Sequence, residues 1–171
     1  MKYAFDDPSL PVFTTTDLEA VAPLDVPEFG NDDAVELGSI AVDLIRERGL
    51  DLAVEVLLGD DTVYRAKLGD TGLGNDPWLA GKAAVVRHFK VPSLLVKRRF
   101  EEAGREFTEA EDPDIDHEVM RAHGGSVPIF AAGQLVGTIT TSGEPDVIDH
   151  QTTADAVAAF LARRASAPQL T

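Results

Sequence analysis

The chain contains no cysteine, so it has no disulfide framework, no thiol nucleophile and no thiolate metal site. Basic residues are scarce as well: 15 Lys and Arg stand against 30 Asp and Glu, a formal net charge of -15. That excess disfavours general affinity for nucleic acid phosphates or anionic membranes, and self-association must then rest on apolar or locally matched surfaces. No apolar run approaches the length of a membrane span. The opening MKYAFDDPSL lacks the basic and apolar segments of a signal peptide. A cytoplasmic location is the resulting expectation.

Several catalytic signatures are missing too. The loop GDTGLGND (69–76) has neither a P-loop lysine nor Rossmann spacing and reads as a connector. Asp112, Asp114 and Asp116 alternate as in a calcium loop, but the glycine and closing glutamate of an EF-hand are absent at their offsets. The acidic stretch 106–118 therefore reads as a solvated connector or short helix. His88, His117, His123 and His150 show no HExxH-like spacing, and no metal site is expected from spacing. A composite metal or haem site assembled by folding stays open. Ser142 does not sit in a GxSxG elbow, and Asp149 and His150, adjacent on a helix, point to different faces and do not form part of a triad.

What is present suits one globular domain: 171 residues, 44% of them hydrophobic and 26% charged. Residues 1–14 are polar and proline-containing and read as an arm, 15–165 as a single domain, and 166–171 as a frayed tail. A short helix opens near Thr16, and Pro23 and Pro27 make 24–29 an edge strand. A helix is predicted over 32–48, capped by Asn31 and ended by Gly49, with Leu37, Ile40, Ala41 and Leu44 on its core face. Alternation then predicts a hairpin, 52–58 and 62–68 around Gly59-Asp60-Asp61, with Glu55 on a wet face. Asp76-Pro77 starts a helix to Phe89, and Pro92-Ser93 another to about Ala103, ended by Gly104.

The most constrained stretch is 122–150, AHGGSVPIFAAGQLVGTITTSGEPDVIDH. Strands over 127–131 and 135–141 flank a turn at Gly133, and Asp146 caps a helix to about Arg164. An antiparallel hairpin returns to its start, so His123-Gly124-Gly125 and Ser142-Gly143 should meet beside the start of that helix. Gly124-Gly125 reads equally as a turn that needs positive φ, His123 as a turn residue or a pocket residue, and Ser142-Gly143 as a cap or an anion-binding nest. Lys82 shares a helical stripe with Trp78, Val85 and Phe89, either snorkelling to the surface or aimed into a pocket. His150 begins a core-facing row with Ala154, Val157 and Leu161, and the nearby helix N-terminus favours a neutral ring. Lys97-Arg98-Arg99 reads as a solvated helix face paired with Glu101 and Glu102, or as an anion or partner contact.

Four blocks in order, NDDAVELG (31–38), DPWLAGKAAVVRHF (76–89), AHGGSVPI (122–129) and GTITTSGEPDVIDH (137–150), resemble the haem-degrading-domain family, also called GlcG-like or HbpS-like, and most of all its cytoplasmic branch. The resemblance runs from about Asp17 to Ala162 and implies an α+β, profilin-like fold: an antiparallel sheet of about five strands with helices packed around it. It further implies homodimers that build a larger homo-oligomer. Its signature positions fall on Trp78, Lys82, His88, His123, Gly124, Gly125, Ser142, Gly143, Asp149 and His150, without a catalytic role for any of them. Ser126 departs from the pattern, standing where a third glycine is common.

Three functional classes follow. The leading one is a binder of a small anionic ligand held by Lys82, His123, the Gly124-Gly125 turn and the Ser142-Gly143 loop. Haem is a candidate, since its propionates are anions and its ring suits Trp78 and Phe89. The second is a haem- or tetrapyrrole-degrading enzyme with His88, His123 or His150 as ligand. The third is an oligomeric scaffold with no ligand.

Overall fold

The computed structural model describes residues 1–166; the expected tail lies, apart from Ser166, outside the described residues. The elements run α1 (Thr15–Ala20), β1 (Leu24–Val26), α2 (Asn31–Arg48), β2 (Ala53–Leu58), β3 (Asp61–Lys67), α3 (Asp76–Phe89), α4 (Ser93–Glu102), β4 (Ser126–Ala131), β5 (Gln134–Ser142) and α5 (Asp146–Ser166). Five strands form one sheet in the order β1-β4-β5-β2-β3. The fold is α+β, with helices packed around that sheet. Its three long pairings are antiparallel, and the short edge strand β1 adds a parallel pairing to β4, Leu24 opposite Ile129. No helix among the described residues is long and apolar enough to cross a membrane.

Local chemistry explains most boundaries. Gly49 closes α2 in the left-handed conformation with its amide on the carbonyls of Ile45 and Arg46. The start of α2 differs from expectation: Gly30 is the cap position and the Asp33 carboxylate reaches back to its amide at 2.8 Å. The hairpin between β4 and β5 turns at Ala132 and Gly133, both at positive φ, which matches the twist of the paired strands.

The two faces of the sheet differ. Val54, Val56, Val127, Ile129 and Ile139 join Leu37, Ile40, Ile45 and Phe160 of α2 and α5 in the main core. Burying such side chains stabilises the fold by roughly 1.5–3 kcal/mol each. The opposite face carries a polar row, Ser126, Thr140 and Glu55, in register across β4, β5 and β2. That row is buried, so Glu55 is not on a wet face; α3 packs over these strands, and Arg65 on β3 supplies the buried carboxylate's ion pair. The side-chain hydroxyls of Ser126 and Thr140 bond each other at 2.8 Å, and the Ser126 amide donates to the Ser93 hydroxyl. Along β3, Tyr64 and Ala66 are half-buried while Arg65 and Lys67 are exposed.

The acidic stretch 106–118 is more than a connector. Phe107 and Ile115 anchor it in a second, smaller core with Val85, Val96 and Ala122. At the other end of the chain, the amides of Lys2 and Tyr3 donate to the buried Glu144 carboxylate, which also accepts the Asp51 amide at 3.0 Å.

Candidate functional site

The site is assembled where α3 passes the end of the β4–β5 hairpin and the start of α5. Helical spacing sets Trp78 and Lys82 one turn apart on one stripe of α3, Trp78 at its exposed end and Lys82 buried. Lys82 does not snorkel: it is 2% exposed, and its Nζ donates to Asp149 Oδ2 at 2.6 Å and to the Thr141 carbonyl at 3.1 Å. Asp149 is as deeply buried, and its other oxygen accepts the Glu144 amide at 3.0 Å. The carboxylate therefore serves as capping partner for α5 and counter-ion for α3 together. Burial outweighs the pull of Lys82 and pushes the Asp149 carboxyl up to about 6.

The double-glycine turn is what allows this approach. Gly125 lies at φ +131, and a Cβ there would stand 2.9 Å from Lys82 Nζ while colliding with the Thr141 carbonyl. At Gly124 a Cβ would enter the Asp146 backbone. Both positions need glycine for space, and Gly125 needs it for conformation as well.

Asp146, three residues before Asp149 in the first turn of α5, is the residue that sequence reasoning treated only as a cap. Its carboxylate turns instead to Lys97 Nζ at 2.7 Å, to the Gly124 amide at 3.3 Å and towards His123 Nδ1 at 3.7 Å. Burial would raise this carboxyl, but His123, Lys97 and the Gly124 amide together hold it well below the usual carboxylate range. The i, i+3 spacing of two aspartates at a helix start was the available signal, since it places both on one face. His123 in turn meets Trp78 edge to face, with ring centroids 5.1 Å apart.

Trp78, Lys82, His123, Ser142, Gly143 and Asp149 thus line one cleft of about 410 Å3, joined by Asn75, Glu144, Asp146 and Phe5 of the N-terminal segment. Gly124 and Gly125 back it. At the Ser142-Gly143 loop, the following Glu144 amide is bonded to Asp149 and the Ser142 carbonyl accepts from Asn75.

Two predicted residues lie elsewhere. His88 packs edge-on against Phe89 and faces Asp112 at 3.8 Å, outside the cleft. His150 is 5% exposed and lies in a separate apolar groove of about 420 Å3 between α1, β4 and α5, where it meets the Phe13 ring at 5.0 Å. Burial pushes its imidazole down to about 4, and its Nδ1 is buried without a partner. Phe89, expected beside a haem ring, belongs instead to the second core. For His150 the difference is one of helical angle, because it and Asp149, neighbours on α5, diverge by roughly 100°.

Comparison with known proteins places this geometry in a family. A UPF0303 protein of Streptomyces coelicolor is 38% identical over 78% of this chain and 84% of its own length. Among solved structures, the Ybr137w protein superposes with a TM-score of 0.75 at 22% identity, covering 86% of this chain and 88% of that one. The PduOC:haem complex superposes with a TM-score of 0.63 at 19% identity, covering 77% and 94%. Likenesses at such identities establish the fold. The family model described as haem degrading protein HbpS-like matches residues 29–158, a span that holds every residue of the cleft except Phe5, and the chain belongs to that family.

Proposed function

We propose that this chain is a cytoplasmic, homo-oligomeric protein that binds a small anionic molecule in the Trp78–His123 cleft, with haem or another tetrapyrrole as the candidate ligand. The observation that carries the reading is Lys82. Its ammonium has three N–H donors and spends two on Asp149 and Thr141, and the residue lines the cleft. A ligand carboxylate would compete with Asp149 for that charge. With the Asp149 carboxyl pushed up to about 6, a proton taken up by Asp149 frees Lys82 for the ligand, so binding should tighten as pH falls from 8 towards 6.

The residues present fit a haem. His123 is 46% exposed at its side chain and has Asp146 on its Nδ1 side, so its Nε2, beside the Trp78 ring, would hold the iron. When bound, the iron and macrocycle would supply the redox chemistry that a degradation reaction needs; the chain's own part is to hold and orient the group. The PduOC neighbour, which holds haem on the same fold, supports the choice of probe. Self-association is supported by the apolar groove and by Val21, which lines it and is 67% exposed.

Hemin titration tests the reading. A saturable Soret band that disappears in His123→Ala supports it, and a featureless linear response rejects haem as the ligand. Adding a reductant separates the enzyme from the binder, since only degradation yields an open-chain tetrapyrrole spectrum. Light scattering should report an oligomer, and a stable monomer would refute the assembly.

A further inference from the structure

A second cavity adjoins the cleft on the far side of the Trp78–His123 wall, between α3, α4 and the acidic stretch 106–118. Its volume is about 160 Å3, close to the roughly 150 Å3 of an engineered cavity that accepts benzene. Three aromatic residues, Trp78, Phe100 and Phe107, contribute to its lining.

Charge is what sets this cavity apart. In a chain with twice as many acidic as basic residues, two of the cations lining it have no carboxylate partner among the described residues. Arg121 lies over the Trp78 ring at 5.1 Å, and its Nε is buried with no acceptor. The Arg105 guanidinium lies over the Phe100 ring at 5.7 Å and, among the described residues, donates to the Glu109 carbonyl alone, at 3.3 Å. The other charged pairs at the rim are closed, Lys97 on Asp146 and Glu101 on Arg98. Glu106 is the one lining carboxylate left to set against the two guanidinium groups, so the cavity keeps an excess of one positive charge. A buried guanidinium N–H without a partner costs free energy that a bound acceptor would recover. Gly81 makes the arrangement accessible: the Arg121 amide donates to its carbonyl at 3.1 Å, and a Cβ at Gly81 would meet Arg121 Cγ at 2.7 Å.

We propose that this cavity is a binding site for a single-ring aromatic carboxylate, the ring among Trp78, Phe100 and Phe107 and the carboxylate on the guanidinium of Arg121. The volume admits one six-membered ring, the walls are aromatic, and the unbalanced charge calls for a monoanion. A planar guanidinium fork suits a carboxylate in this geometry better than a spherical anion. The site shares one wall with the cleft but does not depend on Lys82 or on haem.

Benzoate is the probe. Trp78 is the single tryptophan of the chain and lines both the cavity and the cleft, so its fluorescence is read in wild type against Arg121→Gln, with calorimetry giving the stoichiometry. Benzoate should saturate one site per chain with a Kd of about 1 mM or tighter. Neutral benzamide should bind at least about ten-fold more weakly, and Arg121→Gln should lose benzoate by a similar factor. Arg105→Gln, on a loop beyond α4, provides a second reading should Arg121→Gln fail to fold. Absence of saturation by wild-type protein, equal affinity for benzamide, or unchanged affinity in a folded Arg121→Gln protein would each overturn the assignment. Displacement of benzoate by sulfate at equal concentration would reassign the site to inorganic anions. The hemin response involves neither arginine, so the two sites can fail separately.

Discussion

Lys82 and Asp149, 67 positions apart in the chain, meet at 2.6 Å with both side chains 2% exposed. A buried pair of this kind is costly to break, because the survivor is left buried with neither its partner nor water. Lys82→Met or Asp149→Leu alone should cost about 3–5 kcal/mol in urea unfolding. The double replacement should cost clearly less than the two singles together. Single-mutant losses below about 1 kcal/mol would mean that the pair is solvated.

Asp149 and His150, adjacent on α5, respond to acid in opposite senses. The folded state raises the Asp149 carboxyl to about 6, so it binds a proton more readily than the unfolded chain and gains stability as pH falls from 6 towards 4. It lowers the His150 imidazole to about 4, so that stability present above pH 6.5 is lost as pH falls through 4. The His150 contribution is on the order of 3 kcal/mol. His150→Gln should therefore become more stable between pH 6.5 and 4.5, while Asp149→Asn should fall more steeply than wild type. Parallel melting curves for the two variants across that range would contradict both assignments.

Gly125 and Gly133 both have positive φ, at +131 and +75, but only Gly125 is crowded. Gly125→Ala should cost more than about 2 kcal/mol and abolish ligand binding in the cleft, through strain and the displacement of Lys82. Gly133→Asn, with open space around it and a side chain that tolerates the left-handed region, should stay within about 1 kcal/mol of wild type. Thermal melts of the pair suffice, and equal losses would show that crowding at Lys82 is unimportant.

Glu144 ties the N-terminal segment to the site. Its buried carboxylate accepts the amides of Lys2, Tyr3 and Asp51. Hydrogen bonds to a charged group are worth about 1.5–3 kcal/mol each, so Glu144→Ala should destabilise the full chain substantially. Deleting residues 1–4 removes two of the three donors and should make the same substitution milder. Unequal losses in the two backgrounds measure that coupling, and equal losses would show the segment is not held there.

The helices and the hairpin were legible because their causes are local. Asp76-Pro77 and Gly49 mark ends through the backbone conformations they allow, and the β4–β5 turn follows from Gly133 between two β-branched runs. The chain order also placed the Gly124-Gly125 turn near Ser142-Gly143, since a hairpin must close on itself. Which charges are buried was not legible. Periodicity put Lys82 on an apolar stripe without naming Asp149, and it put Glu55 on a wet face because nothing local reports that α3 lies over β2. The separation of His150 from Lys82, and the stacking of Arg121 on Trp78, are likewise tertiary facts. The sequence alone determined where the chain turns and which faces are apolar, because those depend on neighbours a few residues away. Only the folded arrangement decided which ionisable groups meet, because burial and partnership are properties of segments that the chain keeps far apart.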